Sequence, residues 1–418
     1  MKKKQVIITS LGNTLEWFDF ALFVFFAPII SQHFFPTHNH FTSILITLSV
    51  FAAGFICRPL GGILFGHAGD THGRAKTLRI SVLLITICTL LIGILPSYSS
   101  IGLFAPIAFT LIRLIQGLSI GGEYSGVMIY LAESAPSNQR GLITSFAAIG
   151  ANFGFLLATI VLFALNYVFS HDMVTAWAWR IPFIFIGVGG LILVYYRFQL
   201  AETPTFSYLQ KTDHIEHHPF FTALRDAPKQ LLIIFGLTGM GGTMYYVFFG
   251  FMPTYLATNL GYESTFTLVV ESLSLAMMLF LVPIAGWCGD RVGRKRMLIM
   301  TAFLMICLAL PCFLLLKPHG YSAIILAFTL ATVLSSFEQG NSLAAVVENC
   351  PANVRYSGIA FSYNLGNALF GGTAPLMITL ITQYGGLTTS AYYLMAMASI
   401  TLIAATGLVS KARINYFF

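Results

Sequence analysis

A charged, glycine-punctuated string occurs twice in this chain, each time between two long apolar segments. Gly66-His-Ala-Gly-Asp70-Thr-His-Gly73-Arg74-Ala-Lys76 returns as Gly286-Trp-Cys-Gly-Asp290-Arg-Val-Gly293-Arg294-Lys-Arg296, in register at an offset of 220. A second block repeats too: Glu123, Glu133, Pro136 and Arg140 reappear as Glu338, Glu348, Pro351 and Arg355 at an offset of 215. A small length difference in the intervening loops accounts for the change. Repetition on this scale constrains the chain to two homologous halves. In helical membrane proteins such halves commonly move against each other around a central site.

The apolar segments fix the solvent. The chain is 57% hydrophobic and only 9% charged, outside the range of soluble globular domains. Twelve runs can each cross a hydrocarbon core of roughly 30 Å: about 6–32, 42–66, 77–96, 101–133, 142–168, 178–198, 230–257, 265–288, 297–316, 321–348, 357–383 and 389–409. The expected fold is an all-α integral membrane protein of two pseudo-symmetric six-helix bundles, residues 1–199 and 229–418. A polar cytoplasmic connecting loop, 200–228, joins them. The opening Met1-Lys-Lys-Lys and Val6-Ile-Ile imitate a signal peptide. Asn13, Glu16 and Asp19 interrupt the apolar run and no small-residue cleavage site follows, so this is the first span.

Basic residues give the orientation. Of 22 in the chain, Lys317 alone falls in loops on one side, Arg58, Arg113 and Arg180 fall within spans, and the remainder fall in loops on the other side. That asymmetry places both termini in the cytoplasm and the spans in the cell (inner) membrane. The net charge of +7 is thus a topology signal, and no nucleic-acid partner is expected. Cys57, Cys88, Cys288, Cys307, Cys312 and Cys350 show no paired spacing and read as free thiols. The connector's His214-Ile-Glu216-His217-His218 has ligand-type side chains but no second ligand group nearby, so no metal is expected. Gly117-Leu-Ser119-Ile-Gly121 fits a hydrolase elbow literally, yet lies within a span with no histidine to activate the serine. No enzyme is expected.

Ionisable groups within a membrane are costly and usually face a cavity or one another. At about 1.5 Å per residue, Glu16 and Asp19 lie near the midplane on one face of the first span. Arg113 reaches a similar depth on the fourth, with Gln116 one turn further on the same face. Arg58 and Glu123 lie deeper, toward the cytoplasm. Asp19 and Arg113 are the expected substrate and proton centre, with Glu16, Gln116, Arg58, Glu123 and Tyr245 around them. A solute anion on Arg113 would weaken its pull on Asp19 and favour protonation there. The competing reading is that these charges simply pair off and hold the first bundle together. The acids Glu16, Asp19, Glu123, Glu271 and Glu338 outnumber Arg58 and Arg113, which suits a zwitterion first and a small carboxylate second. Tyr245 and Tyr246, with Trp17, Phe20 and Tyr124, can supply aromatic walls for a cation.

The twelve-span layout and the paired Gly-x-x-x-Asp-x-x-Gly-Arg loops resemble the major facilitator superfamily. Further strings resemble its metabolite:proton symporter family, which includes carriers of proline/betaine, α-ketoglutarate, citrate and shikimate. They are Gly12-Asn-Thr-Leu-Glu16-Trp-Phe-Asp19-Phe, Arg58-Pro-Leu-Gly-Gly, Arg113-Leu-Ile-Gln116-Gly with Gly121-Gly-Glu123, Trp179-Arg180-Ile-Pro-Phe, and Glu202-Thr-Pro-x-Phe206. The resemblance implies a secondary active transporter that imports a small organic solute with protons by alternating access. It would act as a monomer in the bilayer, with the proton as coupling ion and no cofactor. It also implies cytoplasmic latches: Gly66, Asp70, Gly73 and Arg74 in one copy, Asp290, Gly293 and Arg294 in the other. Ion pairs of Glu133 with Arg140 and of Glu348 with Arg355 are expected to reinforce them, with Glu338 grouped in the same repeated block. Thr71 departs from the superfamily's usual Arg. The chain stops soon after its last span, without the long tail of osmosensing carriers, so osmotic regulation is not expected. A non-transporting sensor or scaffold on the same fold, and a uniporter or exchanger, remain the alternatives.

Overall fold

A computed structural model describes residues 3–316 and 320–408. Lys2, Lys317, Lys411 and Arg413, used above for orientation, lie outside the described residues. Among the described residues, twelve helices are long and apolar enough to cross a membrane. They are α1 Lys3–Phe34, α2 Phe41–His72, α3 Arg74–Ile94, α4 Phe104–Ser134, α5 Arg140–Val168 and α6 Arg180–Arg197. After them come α7 Pro228–Asn259, α8 Ser264–Val292, α9 Arg294–Leu315, α10 Tyr321–Glu348, α11 Ala352–Gly385 and α12 Leu387–Thr406. Among the described residues there is no strand. Large apolar side chains such as Phe104, Leu191, Phe280 and Ile403 are exposed, while the mid-span charges are buried. That inverts a soluble protein and suits lipid as solvent.

Helix pairing repeats between the halves. α1 packs on α5, α2 on α4 and α3 on α6; correspondingly α7 packs on α11, α8 on α10 and α9 on α12. Between halves, α2 lies against α11 and α5 against α8, which is again one relation used twice. Gly62 and Gly66 make the first contact close, since a Cβ on either would collide with Ala360 or Ser357 of α11. Both α7 and α11 are interrupted by a π-helical turn, Val247–Phe251 and Asn367–Gly372. Such turns are frequent at functional sites.

The duplicated string is tighter than a loop. α2 continues to His72 and α3 starts at Arg74, leaving Gly73 alone between them at φ 109°. Gly293 likewise separates α8 from α9 at φ 104°. Asp70 and Asp290 therefore sit on the last helical turn, beyond the expected span ends at 66 and 288. A side chain at such a φ costs about 1–3 kcal/mol. At Gly73 a Cβ would also strike the Glu202 carboxylate, whereas at Gly293 it would meet nothing within 4 Å. Gly73→Ala is expected to lower the melting temperature in detergent by several degrees more than Gly293→Ala. Equal melting of the two variants would refute this account.

The connector is less free than its polarity suggests. It holds two short helices, Pro204–Lys211 and Pro219–Asp226. Its first residues dock: Glu202 accepts from the backbone N–H groups of Arg74 (3.0 Å) and Ala75 (3.1 Å), capping α3. Arg197, counted above among loop cations, is fully buried. Arg180 donates to the carbonyls of Gly93 (3.2 Å) and Leu95 (2.6 Å) at the far end of α3.

Candidate functional site

The end of the molecule that carries the duplicated strings, here the basic end, is closed by two equivalent latches. Asp70 accepts from the backbone N–H groups of Tyr356 (3.1 Å) and Ser357 (2.9 Å) in the opposite half. Asp290 accepts from those of Gly141 (2.8 Å) and Leu142 (2.9 Å). Each aspartate thus caps the start of a helix across the interface, where the helix dipole and unpaired N–H groups favour an anion. Arg74 lies 3.3 Å from Asp70 and Arg294 lies 2.7 Å from Asp290.

The supporting glutamates correct the expected pairing. Glu133 joins Arg355 (2.9 Å) and Arg74 (3.3 Å), while Glu348 joins Arg294 (3.2 Å) and Arg140 (3.9 Å). The partners are exchanged between halves because the interface sets the end of α4 beside the start of α11, and the end of α10 beside the start of α5. The first latch is sealed further. Thr203 Oγ1 donates to Glu133 (2.6 Å), and Arg74 donates to the Ala352 carbonyl (2.8 Å).

Deeper in, at the centre of the 32-residue α1, Asp19 belongs to a closed ring of polar contacts. Arg113 Nη1 donates to Asp19 Oδ2 and to Gln116 Oε1, both at 2.7 Å. Gln116 Nε2 donates to Thr89 Oγ1 (3.1 Å), and Thr89 donates back to Asp19 Oδ1 (3.0 Å). Arg113 also lies over the Phe23 ring at 4.2 Å. The ring edges a small cavity of about 30 Å³ with Arg58 and Phe20.

A larger cavity of about 60 Å³, room for several waters, lies between the halves. Its charged lining is Arg58 and Glu16 from the first half and Glu338 from the second. Trp17, Tyr124, Tyr245, Tyr246 and Tyr363 supply the aromatic walls. Tyr124 and Tyr363 stack across the interface at 5.6 Å, and Trp17 meets Tyr245 edge-on at 5.9 Å. Arg58 lies over Phe55 (4.0 Å), Phe20 (5.4 Å) and Trp17 (5.9 Å) and, among the described residues, forms no ion pair. Both oxygens of Glu16 are buried without a hydrogen-bond partner. Asn152 donates to Gln339 (3.2 Å) from one half to the other. Arg58 and Ile120 line both cavities and so form the wall between them.

The expected centre therefore divides in two. Asp19, Arg113 and Gln116 form the ring, while Glu16, Arg58 and Tyr245 face the larger cavity. Glu123 does neither: it accepts from Ser81 Oγ (2.5 Å) and Arg197 Nη2 (2.6 Å), fully buried within the first half. The competing reading of charges pairing off thus holds for Glu123. Glu338, grouped with the latches, lines the larger cavity instead, and Glu271 is buried on α8 outside both linings. Thr89 and Tyr363 carried no signal in sequence. Tyr356 and Ser357 did, since the offset of 215 maps Gly141 and Leu142 onto them.

Known proteins resemble this chain throughout its length. A family model described as Major Facilitator Superfamily matches residues 9–375. The proline/betaine transporter of Salmonella typhimurium is 34% identical over 425 residues, covering 99% of this chain and 84% of that protein. The glycine betaine/proline/ectoine/pipecolic acid transporter OusA of Dickeya dadantii is 33% identical with the same coverage. Among solved structures, the proton:xylose symporter XylE bound to 6-bromo-6-deoxy-D-glucose superposes with a TM-score of 0.77 at 17% identity, covering 99% of this chain and 98% of that one. The E. coli fucose:proton symporter FucP gives 0.68 at 15% identity, covering 96% and 98%.

Proposed function

Because the chain belongs to the Major Facilitator Superfamily and is a multi-pass membrane solute transporter rather than an enzyme, we propose that it imports a small zwitterion together with protons. The observation that carries this reading is the larger cavity, where an arginine that forms no ion pair among the described residues shares an aromatic enclosure with two carboxylates. A carboxylate on the solute takes Arg58, and an ammonium or quaternary amine takes the acids and ring faces. The relatives named for proline and betaine support that class. Small monocarboxylates rank second, and di- or tricarboxylates are repelled by Glu16 and Glu338.

In this reading the Asp19–Arg113 ring is the proton centre. It takes up charge behind a wall of which Arg58 is part, so a solute that engages Arg58 alters the field at Asp19. Protonation of Asp19 releases Arg113, and the ring can rearrange. The basic end faces the cytoplasm by its charge, both termini with it, in the cell (inner) membrane. The latches then close the cytoplasmic side, and each transport cycle must break them. The transporter works as a monomer, with the proton as coupling ion and no other cofactor.

The test uses purified protein in liposomes with a trapped pH dye, to which glycine betaine, proline, α-ketoglutarate, citrate and shikimate are added in turn. Zwitterion-dependent proton entry is the expected result. Radiolabelled influx without proton movement would instead make it a uniporter or exchanger, and binding without flux a sensor. Strong citrate uptake with no response to any zwitterion would overturn the substrate class.

A further inference from the structure

The two repeat-related glutamates, Glu123 and Glu338, have opposite surroundings. Glu123 is neutralised within its own half by Arg197 and Ser81. Glu338, at the equivalent place, opens on the larger cavity and, among the described residues, forms no ion pair. Space is kept for it: a Cβ on Gly241 of α7 would collide with its carboxylate. A desolvated carboxylate without a countercharge is costly unless something supplies one. Within this cavity the second half supplies none, and Arg58 of the first half lies within electrostatic reach of Glu16. Tyr124 and Tyr363 line the same cavity within electrostatic reach of Glu338.

We propose that Glu338 is the specificity-determining ligand for the positive group of the solute, while Arg58 on the other half holds its carboxylate. This rests on the zwitterion reading above and deepens it. A bound zwitterion then spans the interface and ties the halves together, which a solute with only one charge cannot do. The residue that sequence repetition grouped with the latches is instead the second half's contribution to selectivity.

The experiment compares glycine betaine with 3,3-dimethylbutanoate, which has the same shape and carboxylate but carbon in place of the charged nitrogen. Inhibition of radiolabelled betaine uptake is measured for the wild type, Glu338→Gln and Gly241→Ala in liposomes, with melting temperatures as a folding control. The wild type is expected to prefer betaine strongly, and Glu338→Gln to reduce that preference at least about tenfold while melting as the wild type does. Gly241→Ala, which crowds the carboxylate from the opposite helix, is expected to reduce it in the same direction. A purely structural role would change total uptake and leave the betaine-to-isostere ratio unaltered. An unaltered ratio in both variants, with wild-type zwitterion uptake intact, overturns this assignment alone. A wild type that takes up no zwitterion overturns the reading beneath it as well.

Discussion

Asp19→Asn is expected to abolish uphill accumulation of solute while leaving downhill movement in place. The amide keeps the shape of the ring: its oxygen can accept from Arg113, and its NH2 can donate to Thr89 Oγ1, which then accepts where it had donated. What disappears is the site that alternates between charged and neutral. One proton moved with each net-neutral zwitterion carries one elementary charge, worth about 2.3 kcal/mol per 100 mV, which sustains roughly fiftyfold accumulation. The variant should bring that ratio down to about one. Liposomes with an imposed 100 mV potential and radiolabelled solute provide the measurement, and counterflow exchange without a gradient reports that the fold is intact. A variant that still concentrates solute tens of fold would remove Asp19 from the coupling step.

The second large effect is expected from Glu133→Gln. The Glu133 carboxylate is shared by Arg74 and Arg355, and all three side chains are fully buried. Removing this anion takes away the carboxylate that the two guanidinium groups share, although Arg74 keeps Asp70 at 3.3 Å; breaking a buried pair in this way typically costs about 3–5 kcal/mol. The cost applies only while the basic end is closed, because opening returns these groups to water. The closed state should therefore lose population by a factor of a hundred or more. Glu348→Gln should do less, since its partners stand at 3.2 Å and 3.9 Å and Arg140 is partly exposed.

A native reporter exists for this experiment. Cys350 is fully buried beneath the first latch, where its carbonyl accepts from Arg355 Nε (3.1 Å), and burial pushes its thiol up to about 12. In the closed state it should be almost inert to thiol reagents, because the thiolate is the reactive form. Opening exposes it to water, brings its titration back toward that of an ordinary thiol, and makes it labelled. Peptide-resolved labelling of Cys350 should accelerate about a hundredfold in Glu133→Gln and modestly in Glu348→Gln. Equal rates in the two variants and the wild type would show that these ion pairs do not hold the latch.

Much of this architecture was legible without coordinates. Hydrophobic length identified all twelve spans to within a few residues at most ends, because a bilayer demands a run of apolar residues and nothing subtler. Helical spacing placed Arg113 beside Gln116, which meet at 2.7 Å, whereas Glu16 and Asp19, expected on one face, line different cavities. The repeat announced two equivalent latches. The readings that failed concerned partners and surroundings. Glu133 is expected to pair with Arg140, yet it joins Arg355 and Arg74. Glu338 was grouped by its place in a repeated block, yet it faces the cavity. Glu123 has the depth of a cavity acid and the surroundings of a structural one.

The sequence by itself determined that the chain crosses a membrane twelve times, that its halves are related, and which residues carry charge at each depth. These follow from local quantities: apolar length, helical pitch and the recurrence of a string. Only the tertiary structure decided which charge meets which, and which acid opens on the cavity. Those outcomes depend on how each helix is rotated about its axis and which helix lies beside it. Packing between segments far apart in sequence sets both, so no spacing along a single helix contains them.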